Sequence, residues 1–205
     1  MTVPSEATSP RPSAPTSELR TRILREATRL FAEKGYAATS VREVVEASGC
    51  TKPALYYYFK SKDALFLEAI RAETEASTHI IVQSMPSGDV TTVRAGMKRG
   101  LQAYVAHIRQ NPMGMRLILR AELQRDEGQP AFDFDSLRTT QLQMIKDMLA
   151  HGVATGEIRK DVDLEDAAHA IAGMVEQRTQ LWLAGVPMPE DMAERVLRIF
   201  FHGVA

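Results

Sequence analysis

The segment spanning residues 39–62 constrains the fold of this chain more than any other stretch. It reads Thr-Ser-Val-Arg-Glu-Val-Val-Glu-Ala-Ser-Gly, followed by Cys-Thr-Lys-Pro-Ala-Leu-Tyr-Tyr-Tyr-Phe-Lys-Ser-Lys. Ser40 and Glu43 have the spacing of a capping box that starts a helix, and Gly49 can adopt the left-handed conformation that ends one. Thr51 is a suitable N-cap for a second helix, whose first turn tolerates the following proline. Two short helices joined by a tight turn are the arrangement that places one helix in the DNA major groove.

Three consecutive tyrosines in the second of these helices indicate a surface for polar contacts. Leu55 and Phe59 lie four residues apart and are expected to face the core. The three tyrosines between them sweep around the rest of the helix, so they cannot all be buried. At least one tyrosine hydroxyl must therefore point outward beside lysines, as on a surface that grips phosphates.

Charge is unevenly distributed along the chain. The formal net charge of the 205 residues is −1, which gives no overall basic signature for nucleic acid. Residues 17–62 nevertheless contain nine Lys or Arg against five Glu, an excess that favours a local phosphate-facing patch. A solvated helical surface gives a similar excess by chance, so charge alone leaves both interpretations open.

The rest of the sequence predicts an all-α fold of about nine helices. Apolar residues recur at helical spacing, and we find no β-type alternation, internal repeat or Gly-rich phosphate loop. The pair Asn111-Pro112 marks the end of one helix and the start of the next, and residues 86–89 mark a break. Besides the two short helices, helices are predicted at 18–34, 61–84, 93–110, from 112 onward, and at 133–154, 164–184 and 189–202.

Composition excludes several classes of protein. The sequence has no apolar stretch of about 18 residues to span a membrane, and its N-terminus lacks the apolar core of a signal peptide. Residues 1–16 are rich in Pro, Ser and Thr and predict a disordered leader, in which Arg11 either enters a minor groove or has no role. The single cysteine, Cys50, rules out an intrachain disulfide framework and suits a reducing cytoplasm. Cys50 is either a small buried apolar side chain or a redox switch.

No constellation of catalytic residues is apparent in the sequence. It contains no HExxH motif, no Cys/His cluster and no Gly-x-Ser-x-Gly. The histidines are scattered along the chain: His79, His107, His151, His169 and His202. We therefore predict no catalytic residue, no bound metal and no cofactor.

The helix-turn-helix segment resembles the N-terminal domain of the TetR family. The resemblance is carried by residues 39–44, Gly49 and the run 55–65, preceded by Leu30-Phe31 and Gly35-Tyr36. It is detailed over roughly residues 19–70, and the rest of the chain matches in architecture. The resemblance implies a bacterial transcription regulator, usually a repressor. The implied domains are a leader at 1–16, a helix-turn-helix DNA-binding domain at 17–62, a connecting helix at 63–84, and an effector-binding and dimerisation domain at 85–205.

The same resemblance assigns DNA contacts position by position. The second helix of the motif is expected in the major groove, so Thr51 and Lys52 at its start are expected to reach base edges. Tyr56 and Tyr57 are expected to donate to phosphates, Tyr58 can both pack and hydrogen-bond, and Thr39 and Lys62 are expected to hold the backbone on either side. The expected DNA-binding residues are Thr39, Ser40, Arg42, Thr51, Lys52, Tyr56, Tyr57, Tyr58 and Lys62.

The C-terminal part is implied to bind a small-molecule effector and to form a homodimer. Excess apolar bulk and ten methionines in the chain suit an adaptable lining for a mainly hydrophobic effector. The candidate effector-binding residues are Met97, Tyr104, His107, Met115, Leu119, Gln141, Ile145, Met148, Met174, Gln177, Arg178 and Trp182. The candidate dimer-interface residues are Ala168, Ile171, Ala172, Val175, Thr179, Val196, Ile199, Phe200 and Gly203. Both sets also fit the core of a single subunit.

The predicted function is sequence-specific regulation of transcription in the cytoplasm, without membrane attachment. One short reading helix contacts too little DNA for a unique address, whereas two copies about 34–36 Å apart can read a palindrome. We expect a dimeric repressor on double-stranded DNA that the effector releases from a palindromic operator; corepression and activation stay open. The rival classes are an enzyme and a helical protein that holds DNA without sequence preference.

Overall fold

The computed structural model describes residues 14–84 and 92–204, and over these ranges the chain is helical with no strand. The predicted all-α fold class is thereby confirmed. The nine helices of the described ranges are α1 (Ala14–Lys34), α2 (Val41–Ser48), α3 (Lys52–Tyr58), α4 (Lys62–Ser84), α5 (Val93–Gln110), α6 (Pro112–Leu123), α7 (Phe134–Thr155), α8 (Leu164–Leu183) and α9 (Met192–Val204).

The ends of the chain differ in part from the sequence prediction. Helix α1 begins at Ala14, so residues 14–16 of the expected leader belong to a helix. The rest of the leader, including Arg11, lies outside the described residues, as does the expected break at 86–89. Helix α9 begins at Met192, after the expected start at Pro189.

Local capping fixes the two short helices of the helix-turn-helix motif. The backbone N–H of Glu43 donates to the Ser40 hydroxyl at 3.2 Å, and the N–H of Ser40 donates to the Glu43 carboxylate at 2.8 Å. Gly49 ends α2 with φ +60°, the left-handed conformation that favours glycine. The N–H of Ala54 then donates to the Thr51 hydroxyl at 3.3 Å and starts α3. All of these contacts are made within a few residues, which is why the sequence predicts them.

The first four helices share a hydrophobic core that α6 completes. The rings of Phe31 and Phe66 meet edge to face with 5.0 Å between centroids, and Tyr36 lies 5.1 Å from Phe66. Leu117 and Ala121 of α6 are buried in the same cluster. The DNA-binding unit is therefore not closed by α1–α4 alone.

A second hydrophobic core lies among α5, α7, α8 and α9. Leu149, Ile158 and Leu197 are almost fully buried at its centre. Ile158 lies between α7 and α8, and its backbone N–H donates to Gly152 of α7 at 3.1 Å. This second core holds together the helices that enclose the cavity described below.

Helix α6 and the loop after it also clasp the C-terminal end of α1. Arg120 donates to the carbonyl of Lys34 at 3.2 Å and lies 3.9 Å from Asp126. Asp126 accepts a hydrogen bond from the backbone N–H of Ala37 at 3.3 Å. Gly35 has φ +87°, and a Cβ on it would overlap the Arg120 guanidinium and the Asp126 carboxylate. The left-handed backbone conformation therefore favours glycine here, and any side chain would also displace the ends of Arg120 and Asp126.

Candidate DNA-binding face and effector cavity

Helix α3 presents polar side chains on one face and is anchored through the other. Tyr57 is 77% exposed, Tyr56 is 40% exposed, and Thr51 and Lys52 at the helix start are exposed as well. The Nζ atom of Lys52 lies 5.9 Å from the centroid of the Tyr56 ring, at the outer limit of a cation–π contact. Leu55 on the opposite side is fully buried. Hydroxyl and ammonium groups are the donors that contact phosphates and base edges in DNA complexes.

Lys62, the first residue of α4, is held over an aromatic ring. Its Nζ atom lies 4.1 Å from the centroid of the Tyr36 ring, and the Tyr36 hydroxyl donates to Asp63 at 2.6 Å. Burial, followed by the Asp63 hydrogen bond and charge, raises the pKa of Tyr36 to about 12. Burial lowers the pKa of Lys62, against the opposing charge of Asp63. The ammonium group of Lys62 is therefore partly desolvated, and the Tyr36 ring holds it in place.

Thr39 is placed differently from the sequence prediction. Its side chain is buried, and its hydroxyl donates to the carbonyl of Gly35 at 2.7 Å. The same hydroxyl lies 3.2 Å from the carbonyl of Leu30. The side chain therefore fixes the turn between α1 and α2, and it does not present its hydroxyl to a phosphate, which corrects the contact expected from the resemblance.

Three further expected DNA contacts are partly occupied by contacts within the chain. Ser40 is exposed, but its hydroxyl belongs to the capping box. Arg42 is exposed and pairs with Glu46 at 2.7 Å, four residues along the same helix. Tyr58 is half-buried against the first core, with its ring 5.0 Å from that of Tyr57. Contacts from these residues to DNA stay predictions.

Two basic residues that sequence reasoning missed hold the motif against α1. The Nε atom of Arg22 donates to the carbonyl of Ser48 at 2.7 Å, where α2 ends. The Nζ atom of Lys34 lies 2.5 Å from the Glu43 carboxylate. The hydrogen bond from Lys34, followed by those from Ser40, lowers the pKa of Glu43 to about 2. A basic residue that pairs within its own domain has no sequence signal that separates it from one facing DNA.

A cavity of about 410 Å³ lies among α4–α9. Its volume is in the range of small-molecule sites. Helix α7 borders it from Phe134 to Met148, which is about 21 Å of helix at 1.5 Å per residue, so the cavity is elongated. The predicted effector-binding residues that line it are Met97, Tyr104, Met115, Leu119, Gln141, Ile145 and Met148.

The other predicted effector-binding residues lie outside this lining. His107 is partly buried on α5, and burial lowers its pKa. Met174 packs against the second core, and Trp182 is half-buried near the end of α8. Gln177 and Arg178 are exposed to solvent. Helical spacing selected these residues correctly as helix-borne, but it does not specify which way each turn of α8 faces.

The predicted dimer-interface residues divide between core, cavity and surface. Four of them line the cavity: Ile171, Ala172, Val175 and Thr179. Ala168, Val196 and Phe200 are buried in the second core of the same subunit. Ile199 is 62% exposed, while Gly203 lies in α9 beyond the side chains that the structure describes. Among the predicted dimer-interface residues whose side chains the structure describes, Ile199 is the most exposed.

Tyr104 and Ser77 are two residues of the cavity wall that carry hydroxyl groups. Burial is the main cause that raises the pKa of Tyr104 to about 12, and its hydroxyl lies 3.9 Å from the sulfur of Met115. Ser77 of α4 also lines the cavity and is 6% exposed. Sequence reasoning missed Ser77, because one serine in a helix has no signal that points to a cavity formed by five other helices.

A shallower cleft of about 330 Å³ adjoins the cavity on the α4 side. The two share Thr74, Thr78 and Leu137 as lining residues. The cleft is further lined by Glu75, His79 and Val82. Helix α4, which begins with Lys62, therefore borders both hollows.

Across the described ranges, every helix is too short or too polar to cross a bilayer. The same part of the chain holds no group of three or more His, Cys, Asp or Glu side chains placed to share a metal ion.

The chain combines a helix-turn-helix motif that has an exposed polar face with a helical domain that has its own core and cavity. This is the architecture of helix-turn-helix transcription regulators. Residues 23–69 match the family model described as bacterial regulatory proteins, tetR family. Residues 94–180 match the model described as tetracyclin repressor-like, C-terminal domain. The chain belongs to the TetR family of DNA-binding transcription regulators, which are not enzymes.

Individual relatives support this assignment over nearly the whole chain. The transcriptional repressor KstR2 of Mycolicibacterium smegmatis is 28% identical over 94% of this chain and 93% of its own length. The transcriptional regulator PfmR of Thermus thermophilus is 25% identical, with a TM-score of 0.72 over 90% of this chain and 99% of its own. A TetR-like regulator from a Rhodococcus species shares the fold, with a TM-score of 0.76 at 20% identity over 95% of this chain and 98% of its own.

Proposed function

We propose that this regulator is a cytoplasmic, dimeric repressor that leaves a palindromic operator when a mainly hydrophobic effector fills the cavity. The observation that carries the proposal is the placement of α4. Its first residue, Lys62, belongs to the expected DNA face, and its later residues Thr74 and Ser77 line the cavity. One helix thus connects the two expected sites.

The mechanism that follows is a population shift between two arrangements of α4. An effector changes DNA binding only if it binds one arrangement better than the other, so the released state is expected to have the better-fitting cavity. Helix α6 adds a second connection, because it lines the cavity through Met115 and clasps α1 through Arg120. Repression is favoured by the similarity to KstR2, which is described as a repressor.

Selection of bound sites from a random DNA pool, with the full chain at physiological salt, tests the DNA-binding half of the proposal. We expect a palindrome, because a two-fold symmetric dimer presents two copies of α3. Recovery of a single half-site would contradict the dimer. A featureless pool that still shows strong salt dependence would identify the rival class, a protein that holds DNA without reading it.

A further inference from the structure

The hydroxyl groups of α4 that line the cavity are not equivalent. The Thr74 hydroxyl donates to the carbonyl of Arg71 at 3.0 Å, and the Thr78 hydroxyl donates to the carbonyl of Thr74 at 2.9 Å. Ser77 lies between them, is only 6% exposed, and has no hydrogen-bond partner for its hydroxyl within the described part of the chain. Its hydroxyl is therefore free to form a hydrogen bond with a ligand oxygen in the cavity.

The charged groups of the lining, in contrast, already have partners. Glu122 of α6 and Arg138 of α7 form an ion pair with each other. Glu176 accepts from the side-chain amide of Gln180 at 2.9 Å. The imidazole of His169 also lines the cavity, and its Nδ1 atom lies 2.9 Å from the carbonyl of Glu165. A charged ligand group in the apolar part of the cavity, away from these partly exposed side chains, would be buried without an ion-pair partner, which is costly.

The cavity that Ser77 lines has open space along α5. Gly100 is buried and lines the cavity, yet a Cβ added to it would meet no atom within 4 Å. Tyr104 lies one helical turn further along α5, and its hydroxyl already contacts the sulfur of Met115 and the side chain of Thr179. The neutral phenol at physiological pH is a donor as well as an acceptor.

From these contacts we infer that the effector is an uncharged, mainly apolar molecule with a carbonyl or hydroxyl oxygen, and that the Ser77 hydroxyl binds this oxygen. The inference rests on the proposed function and assigns the ligand class of the same cavity. Because Ser77 is on α4, the bond is made directly to the helix that begins with Lys62. Recognition of the oxygen therefore acts on the element that carries a DNA contact.

A matched series of probes tests the inference: methyl octanoate, octane, octanoate and octylamine, which share an apolar chain and differ in the polar group. Each is titrated against the full chain with Nile red bound, and displacement of the dye is followed by fluorescence. We expect the ester to displace Nile red at a concentration about tenfold lower than the anion or the amine. Tightest binding by octanoate or octylamine would overturn the inference, and so would failure of the ester to displace the dye.

Ser77→Ala separates a hydrogen bond from simple packing. The substitution is expected to weaken methyl octanoate about three- to tenfold and to leave octane unchanged, because one neutral hydrogen bond is lost. Thr140→Ala, on an exposed hydroxyl of α7 outside the lining, is the matched control and should change neither. Equal weakening of ester and alkane by Ser77→Ala would show that Ser77 only packs. Gly100→Leu fills the open space and should weaken all four probes.

The same proteins are assayed on the selected operator without any probe. Intact operator binding with no binding of the ester overturns the ligand class alone. Ester binding that depends on Ser77, together with loss of sequence preference in DNA binding, overturns the proposed repressor function alone.

Discussion

Tyr36 is shared between the core of the DNA-binding unit and its surface. One side of its ring belongs to the aromatic cluster with Phe66, and Lys62 Nζ lies 4.1 Å from the ring centroid. Its hydroxyl is bonded to Asp63, so the ring cannot turn freely. A lysine on a flexible stem loses rotamer freedom when it binds a phosphate, and part of that cost is already met here by the contact with the ring.

Lys62→Ala is predicted to weaken binding to all DNA sequences by a similar factor. A lysine that contacts one phosphate changes the slope of log affinity against log salt by about 0.9 and carries no base information. Affinity for the operator and for scrambled DNA, measured at several salt concentrations, checks this. Lys160→Ala, in the exposed turn before α8, is the control and should leave the slope unchanged. A loss confined to the operator would show that Lys62 reads sequence.

At the scale of elements, α6 is the helix that takes part in the most varied set of contacts. Leu117 and Ala121 complete the first core, Met115 lines the cavity, and Arg120 reaches the end of α1. The Nε atom of Arg120 is buried without a hydrogen-bond partner in the described residues, which is a cost that the contacts of its terminal nitrogens must offset. A shift of α6 along its axis would therefore also move the turn between α1 and α2.

Gly35→Ala is predicted to destabilise the chain more than Gly49→Ala. Both glycines have positive φ, which costs an alanine about 1–2 kcal/mol. A Cβ at Gly49 meets nothing within 4 Å, whereas one at Gly35 pushes aside the ends of the Arg120 and Asp126 side chains and so weakens their contacts with the end of α1. Urea unfolding of the two variants measures the difference. An equal loss of unfolding free energy in the two variants would mean that Arg120 and Asp126 move aside at no cost and hold α1 only weakly.

The sequence predicts the helices well and the cavity less well, for a physical reason. Capping boxes and positive-φ glycines act within one turn, so Ser40, Gly49 and Thr51 mark the helix ends directly. The cavity depends on how six helices converge, which no local pattern specifies. For this reason the sequence did not predict that Ser77 and Ile171 line the cavity. The spacing of apolar residues identifies the buried side of a helix. It does not specify whether another helix, the cavity or a second subunit covers that side.

At the scale of the whole molecule, the surface left for a second subunit is narrower than the sequence suggested. On α8 the exposed positions include Ala170 and Gln177, together with His169 and Gly173, which also border the cavity, and on α9 they include Ile199. Small residues on α8 permit close approach of another helix, and an isoleucine that is mostly exposed in one subunit gains from being covered. We expect this face to form the two-fold contact that sets the spacing between two copies of α3.

Ile199→Glu is predicted to convert the dimer to monomer while the subunit stays folded. A charge buried at the centre of an interface costs about 2 kcal/mol or more of association free energy. Sedimentation velocity and helical circular dichroism check the two halves of this prediction. Leu123→Glu alters another largely exposed apolar residue, at the end of α6, and should remain dimeric. Unchanged association of the Ile199 variant would place the contact elsewhere.

The shared first core has a consequence for building hybrid regulators. A hybrid that joins α1–α4 to an unrelated ligand-binding domain would lose Leu117 and Ala121 and leave a hole in the first core. It would also leave the carbonyls at the end of α1 without Arg120. New operator specificity is therefore best introduced by exchanging the exposed side chains of α3, with the junction between the two halves of the molecule left as it is.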